Sequence, residues 1–202
     1  MKIGINGTGL VQKASIEAIK ADADKAAKDG FKSYWLAEHP TGGFDALTVL
    51  AVIASSVPDI EMGTAVVPTF PRHPMALAGQ ALTSQTALQG RLCLGIGLSH
   101  EIMMAQLGIG FEKPIRHLRD YLSILMPLLE EGRVSYVGET LSCEAQIFRP
   151  AEPAPGVVVA ALGPQALRVA GSRTDGTTLA WVGPKTIAGH IVPCLTEAAS
   201  KA

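Results

Sequence analysis

Three short stretches of this chain place polar side chains beside a turn residue at the end of an apolar run: Glu38-His39-Pro40, Gly97-Leu98-Ser99-His100 and Leu162-Gly163-Pro164-Gln165. In parallel α/β folds the carboxyl ends of strands are where ligands bind, so each stretch is a candidate for chemistry. His39 can donate, accept and change charge near neutral pH, which makes it the candidate acid or base. Glu38 either orients it or stands as a solvated charge. Gly97 permits close backbone approach, and Ser99 and His100 offer hydrogen bonds beyond it. In Leu162 to Gln165 a strand ends, glycine turns and proline opens a helix. Free N–H groups and the helix dipole would there favour a phosphate, although a plain strand-to-helix turn needs the same residues. Gly183-Pro184 repeats the design, with Lys185 adding charge.

Arg72 and His73 follow another strand and suit either an anionic group or, more simply, helix-start packing. His117, His190, Arg116 and Arg119 fall on helical stretches and read as solvated or structural. Trp35 and Trp181 lie in strand patterns and read as core. Neither a Ser/His/Asp triad nor a carboxylate cluster competes, and Cys93, Cys143 and Cys194 lack ligand spacing, so no metal is expected.

Positioning these residues requires a regular alternation of strands and helices. Strands are expected at residues 2–6, 33–37, 61–67, 91–96, 157–162 and 177–182. Helices are expected at 12–29, 44–56, from Pro74 to a stop at Gly90, 102–107, 115–131, 165–172 and 184–200. A kink or break is expected at Pro127 and an interruption at Pro193. Residues 134–137 and 142–148 read as a hairpin, and 149–155 as a proline-rich connector. Strand-helix alternation means right-handed crossovers and a parallel sheet. The run Gly4-Ile5-Asn6-Gly7-Thr8-Gly9 has the wrong spacing for a dinucleotide fingerprint. The pattern leaves two architectures, an open doubly wound sheet or a barrel.

The 202 residues are 48% hydrophobic and 17% charged, with net charge −1, the balance of one well-buried globular domain spanning 1–202. Without a basic run, nucleic acid and anionic membranes are not expected partners. The chain starts directly as a strand, without a signal peptide's apolar core, and residues 44–57 are too short to span a membrane and carry Asp45. A soluble, cytoplasmic protein is expected.

The run from Gly63 to Pro74 (GTAVVPTFPRHP), then Gln80-Ala81-Leu82, then Gly90 to Gly97 (GRLCLGIG), resembles the luciferase-like monooxygenase superfamily. Gly95 to His100 and Ala160 to Pro164 resemble its coenzyme F-420-dependent oxidoreductases. The resemblance implies an α/β fold of the (β/α)8 TIM-barrel type with an insertion region at about 101–155, of which about six βα units are present. By that comparison the chain ends after the sixth, leaving an edge that a truncated gene or a covering partner would explain. The implied cofactor is coenzyme F-420, with FMN as the alternative; no arginine stands near Leu98, where flavin-dependent relatives bind phosphate.

The same resemblance sets His39 close to the cofactor ring. It makes Ala65-Val66 a bulge, often with a non-proline cis peptide, that props one ring face; an ordinary buried strand is the other reading. It assigns Leu162, Gly163, Pro164 and Gln165 to the cofactor phosphate. His100 stands where many relatives carry a glutamate. The implied activity is hydride transfer to or from a small organic substrate. An FMN-dependent monooxygenase and a catalytically silent fragment needing a partner are the alternatives. Dimers are common among similar proteins, so a homodimer is also expected.

Overall fold

A computed structural model describes residues 2–11, 15–40, 42–150 and 153–202. Gln12, the expected start of the first helix, and part of the connector at 149–155 lie outside them. The strands are β1 (Gly4–Asn6), β2 (Ser33–Leu36), β3 (Glu61–Thr64), β4 (Val67–Pro68), β5 (Leu92–Gly97), β6 (Arg133–Val137), β7 (Ser142–Gln146), β8 (Gly156–Ala160) and β9 (Gly176–Thr178). The helices are α1 (Thr8–Val11), α2 (Ile16–Lys28), α3 (Ala46–Ile53), α4 (Pro74–Ala87), α5 (Glu101–Gln106), α6 (Pro114–Glu130), α7 (Pro164–Arg173), α8 (Pro184–Thr186) and α9 (Val192–Ala199).

The main sheet is parallel and runs β1-β2-β3-β5-β8-β9, with β4 also on β5. That order never reverses. A doubly wound sheet needs a reversal, because its helices cover both faces. A monotonic order with right-handed crossovers returns every helix to one face, which is the wall of a barrel. Burial agrees. In register across the sheet, Tyr34 and Met62 and then Leu94 and Val157 are fully buried under helices. Their neighbours Trp35, Cys93, Val158 and Ala160 point the other way and are half-buried. β6 and β7 form the expected antiparallel hairpin apart from this sheet.

Local chemistry sets the helix starts. The Ser15 hydroxyl caps α2 by accepting from Ala18 N–H, and the Asp45 carboxylate caps α3 by accepting from Thr48 N–H at 2.7 Å. Pro74 and Pro164 occupy first-turn positions, where no donor is lost. α4 ends at Ala87, earlier than the expected stop at Gly90, and Gln89 and Gly90 make the left-handed turn with φ of 53° and 82°.

Several expectations are corrected. The strand expected at 61–67 is split at Ala65-Val66 into β3 and β4. Pro127 does not break α6, which continues to Glu130, because it sits in the last turn and Glu131 N–H still reaches the Pro127 carbonyl at 2.8 Å. The final helix, by contrast, is interrupted beside Pro193 as expected: α8 ends at Thr186, a π turn spans Ile187–Ile191, and Pro193 lies in the first turn of α9, where no donor is lost. The strand expected at 177–182 ends at Thr178, because its partner β8 ends opposite it at Ala160. Trp181 is therefore not core. It lies beyond the strand, fully exposed, with φ of 54°. Trp35 is half-buried on the inner face, its ring over Gly63 and its indole N–H donating to Ser33 Oγ at 2.8 Å.

Candidate functional site

The carboxyl ends of β2, β3, β5 and β8 are neighbours on one rim of the sheet, and they carry His39, Ala65-Val66, Ser99-His100 and Leu162 to Gln165. The topology thus brings the predicted site residues to one end of the fold.

The β2 end is anchored through its backbone. Ala37 N–H donates to Thr8 Oγ1 at 3.0 Å and Glu38 N–H to the Val66 carbonyl at 3.2 Å. Half-buried His39 follows in a turn closed by Gly42 N–H on the His39 carbonyl. Glu38 is no solvated charge: its Oε1 lies 2.9 Å from Arg72 Nη2, which also contacts Asp45 Oδ2 at 2.9 Å. Burial holds Glu38 above the usual carboxylate range, with the Asp45 charge adding to the rise and Arg72 opposing it. Burial also pushes on Asp45, but Thr48, Gln80 and Arg72 outweigh it and hold that carboxyl below its ordinary value. Gln80 Nε2 completes the cluster on Asp45 Oδ1 at 2.8 Å, and the Tyr121 hydroxyl donates to the Arg72 carbonyl at 2.9 Å.

At the break between β3 and β4 the Ala65-Val66 peptide is cis. The Thr64 side chain replaces the ladder there, donating to the Gly95 carbonyl and accepting from Gly95 N–H, both at 2.8 Å. Both glycines of β5 serve this junction. A Cβ on Gly95 would lie 1.9 Å from the Thr64 carbonyl oxygen, and one on Gly97 would lie 2.7 Å from Val66 Cγ2. The close approach expected at Gly97 is therefore filled by Val66. The rim floor here is Val66, Gly97 and Ala160, whose Cβ would sit 3.1 Å from a Cβ on Gly97.

Beyond β5, Ser99 adopts φ of 64° and its hydroxyl donates to Met103 Sδ at 3.6 Å. His100 is exposed and precedes α5 without a side-chain cap bond. Beyond β8, Leu162 is half-exposed and Gly163 begins α7, again without a side-chain cap. The Leu162 carbonyl can only accept, so its 2.9 Å contact with His190 Nε2 puts the ring proton on that nitrogen.

His73 has the expected helix-start role, its Nδ1 accepting from Met75 N–H. His117 is structural: Nε2 lies 3.2 Å from Thr69 Oγ1, and the ring stacks on Phe70 at 3.9 Å. Burial lowers its pKa to about 4, against a smaller opposing pull from Asp120. The Arg72–Asp45–Gln80 cluster was missed from the sequence. Its one local signal was Asp45 three residues before Thr48 at the head of an apolar run, an N-cap pattern. Cys93, on the inner face, is no reactive thiol: burial pushes its pKa up to about 12, with the Glu61 and Asp175 charges adding to the rise.

The sequence model of the family described as luciferase-like monooxygenase matches residues 3–202, and the chain belongs to that family. It is 28% identical over 197 residues to an F420-dependent glucose-6-phosphate dehydrogenase of Nakamurella multipartita, covering 90% of this chain and 58% of that protein. It is 28% identical over 164 residues to a 5,10-methylenetetrahydromethanopterin reductase of Archaeoglobus fulgidus, covering 80% of this chain and 48% of that protein. The chain thus spans about half the length of these curated relatives. Among solved structures, the F420-dependent tetrahydromethanopterin reductase of Methanopyrus kandleri superposes with a TM-score of 0.85 at 22% identity, over all of this chain and 61% of that one. The fold is accordingly a partial (β/α) barrel of the luciferase-like type.

Proposed function

We propose that the chain carries the cofactor-binding rim of a coenzyme F-420-dependent oxidoreductase that moves a hydride to or from a small organic substrate. One observation carries the reading. His39, the Ala65-Val66 break, Ser99-His100 and the uncapped start of α7 share one rim of the barrel wall, in a chain several of whose relatives are named for that coenzyme.

The residues present suit such a group. Val66, Gly97 and Ala160 make a small apolar floor for a flat ring. The first turn of α7 offers backbone N–H groups and the positive end of a helix dipole, uncapped by any side chain, to a phosphate. Ser99 and His100 add hydrogen-bonding groups at the ring's edge. Bound there, the coenzyme would supply a ring carbon that gives or accepts the hydride. His39 then holds or moves the proton that accompanies the hydride at the substrate heteroatom. The Glu38–Arg72–Asp45 cluster keeps the β2 turn, and so His39, in place. No helix among the described residues is long and apolar enough to cross a membrane. We take the protein to act in the cytoplasm, without nucleic acid and with a homodimer as its expected assembly.

Separate fluorescence titrations with F-420 and FMN, with circular dichroism as the folding control, test the proposal. Saturable binding that favours the deazaflavin is expected. Preference for FMN would turn the reading towards an FMN-dependent monooxygenase. A folded chain that binds neither would overturn the cofactor assignment, or make this a silent fragment completed by a partner. Given binding, His39→Ala is expected to leave affinity intact and remove turnover.

A further inference from the structure

Away from the rim, on the outer layer, a cleft of about 270 Å³ opens between α6 and α7 beside the β6–β7 hairpin. Arg116 and Arg119 line it from the start of α6, and Arg168 and Arg173 from α7, with Ser172 between them. From these residues we propose that the cleft is a binding site for a small multivalent oxyanion, a phosphate or the phosphate group of a small metabolite.

The acids nearby are already committed. Asp120 also lines the cleft, but its Oδ1 accepts from the Tyr136 hydroxyl, and its Oδ2 from Thr140 N–H and Oγ1, each at 2.8 Å. Burial pushes Asp120 up, but these bonds outweigh it and hold the carboxyl below its ordinary value, so it pins the hairpin to α6 and sets one negative charge against the four arginines of the cleft. Glu139 is shared between Lys113 and Arg116. Glu197, which feels the charge of Arg168, is bound by Lys201. Arg173 donates to Ser123 Oγ at 2.8 Å, a neutral partner that leaves its charge uncompensated. Among the described residues, Arg119 and Arg168 form no ion pair.

This arrangement runs against local helix preferences. Arg116 stands in the first turn of α6, where the helix dipole disfavours a cation. Arg119 follows it at i+3 on the same face, a like-charge neighbour that disfavours the helix. Arg168 then faces the same cleft from the neighbouring helix. A solvated surface has no need to converge uncompensated guanidiniums on one cavity, and local rules tend to be broken where function requires it. Guanidinium forks match the oxygens of phosphate in pairs. The volume lies just under the 300–1,000 Å³ span usual for small-molecule pockets, which suits a compact anion better than a large ligand.

The test is isothermal titration of the whole chain at constant ionic strength with inorganic phosphate and, separately, with glycerol 3-phosphate. Saturable binding with a Kd of about 1 mM or below is expected. In Arg119→Ala/Arg168→Ala it should weaken at least tenfold with an unchanged circular dichroism spectrum. Should that variant fold poorly, Arg168→Gln alone is expected to weaken binding several-fold. Tighter binding of the ester would identify a phosphorylated metabolite, and tighter binding of inorganic phosphate the free ion. A response that does not saturate, or that persists unchanged in the folded variants, would overturn the proposal, because phosphate also stabilises proteins generally by exclusion from their surface.

Discussion

The rim has two sides built to different rules. On the side of β2, β3 and α4, charges and rings are locked together. Arg72 bridges Glu38 and Asp45, Gln80 and Thr48 hold Asp45, Tyr121 holds the Arg72 carbonyl, and His117 is stacked on Phe70. On the side of β5 and β8 the described residues form no such charge cluster: the Ser99 hydroxyl meets Met103, the Leu162 carbonyl meets His190, His100 is exposed, and Trp181 beyond them is fully exposed. A site needs both. One side must hold geometry when a ligand arrives, and the other must leave groups free to meet it. The difference also predicts where stability resides, since segments with few buried contacts open at low cost.

The strongest way to break the locked side is Arg72→Met. It leaves Glu38 and Asp45 facing each other, partly buried and without their shared cation. Losing one partner of a buried ion pair costs about 3–5 kcal/mol, and the partial exposure of this one brings the expectation to about 2–3 kcal/mol at pH 7. Urea denaturation should show that loss, and part of it should return as the pH is lowered and Glu38, already held above its ordinary value by burial, takes up a proton. His100→Ala on the open side should change stability by no more than about 0.5 kcal/mol. Equal effects from the two variants would erase the contrast.

A second probe is pH. His117 titrates near 6.5 when unfolded and near 4 in the fold. The unfolded chain therefore binds the proton first, and stability must fall as pH drops from about 6.5 through about 4. At about 1.4 kcal/mol per pKa unit the full titration withdraws on the order of 3–4 kcal/mol. His117→Gln, which keeps a polar group near Thr69, is expected to flatten this slope while starting from a lower stability at pH 7. An unchanged slope would mean that other groups carry the acid sensitivity.

The elements were readable from sequence wherever a local signal sets them. Pro74 and Pro164 mark helix starts by chemistry that needs no tertiary partner, and both begin helices here; Ser15 and Asp45 carry a comparable N-cap signal, which sets α2 and α3 later than the starts expected at 12 and 44. The gathering of these residues on one rim was readable for a similar reason, because alternating strands and helices in a parallel sheet put every strand's carboxyl end on the same side. What escaped depends on partners distant in sequence. Arg72 meets Glu38 and Asp45 across 34 and 27 residues. The space at Gly97 is taken by Val66 only because β3 breaks beside it, and Trp181 leaves the strand pattern only because β8 ends opposite Thr178. Hydropathy cannot tell a tryptophan that continues a strand from one that outruns its neighbour.

A small gain in stability tests the open side and the proposed function together. Gly163 begins α7 with extended backbone, φ of −77° and ψ of 152°, and a Cβ there would meet nothing within 4 Å. Gly163→Asp should therefore fit without strain and cap the helix. The carboxylate would accept from the free N–H groups and oppose the dipole, raising stability by about 0.5 kcal/mol. If those N–H groups hold a cofactor phosphate, the same carboxylate occupies its place and repels it, and affinity for F-420 should fall at least tenfold. A variant that is more stable and binds F-420 as before would place the phosphate elsewhere on the rim, with Gly183-Pro184 the next start to test. A variant that gains stability and loses the cofactor would show that the missing cap on α7 is reserved for a ligand.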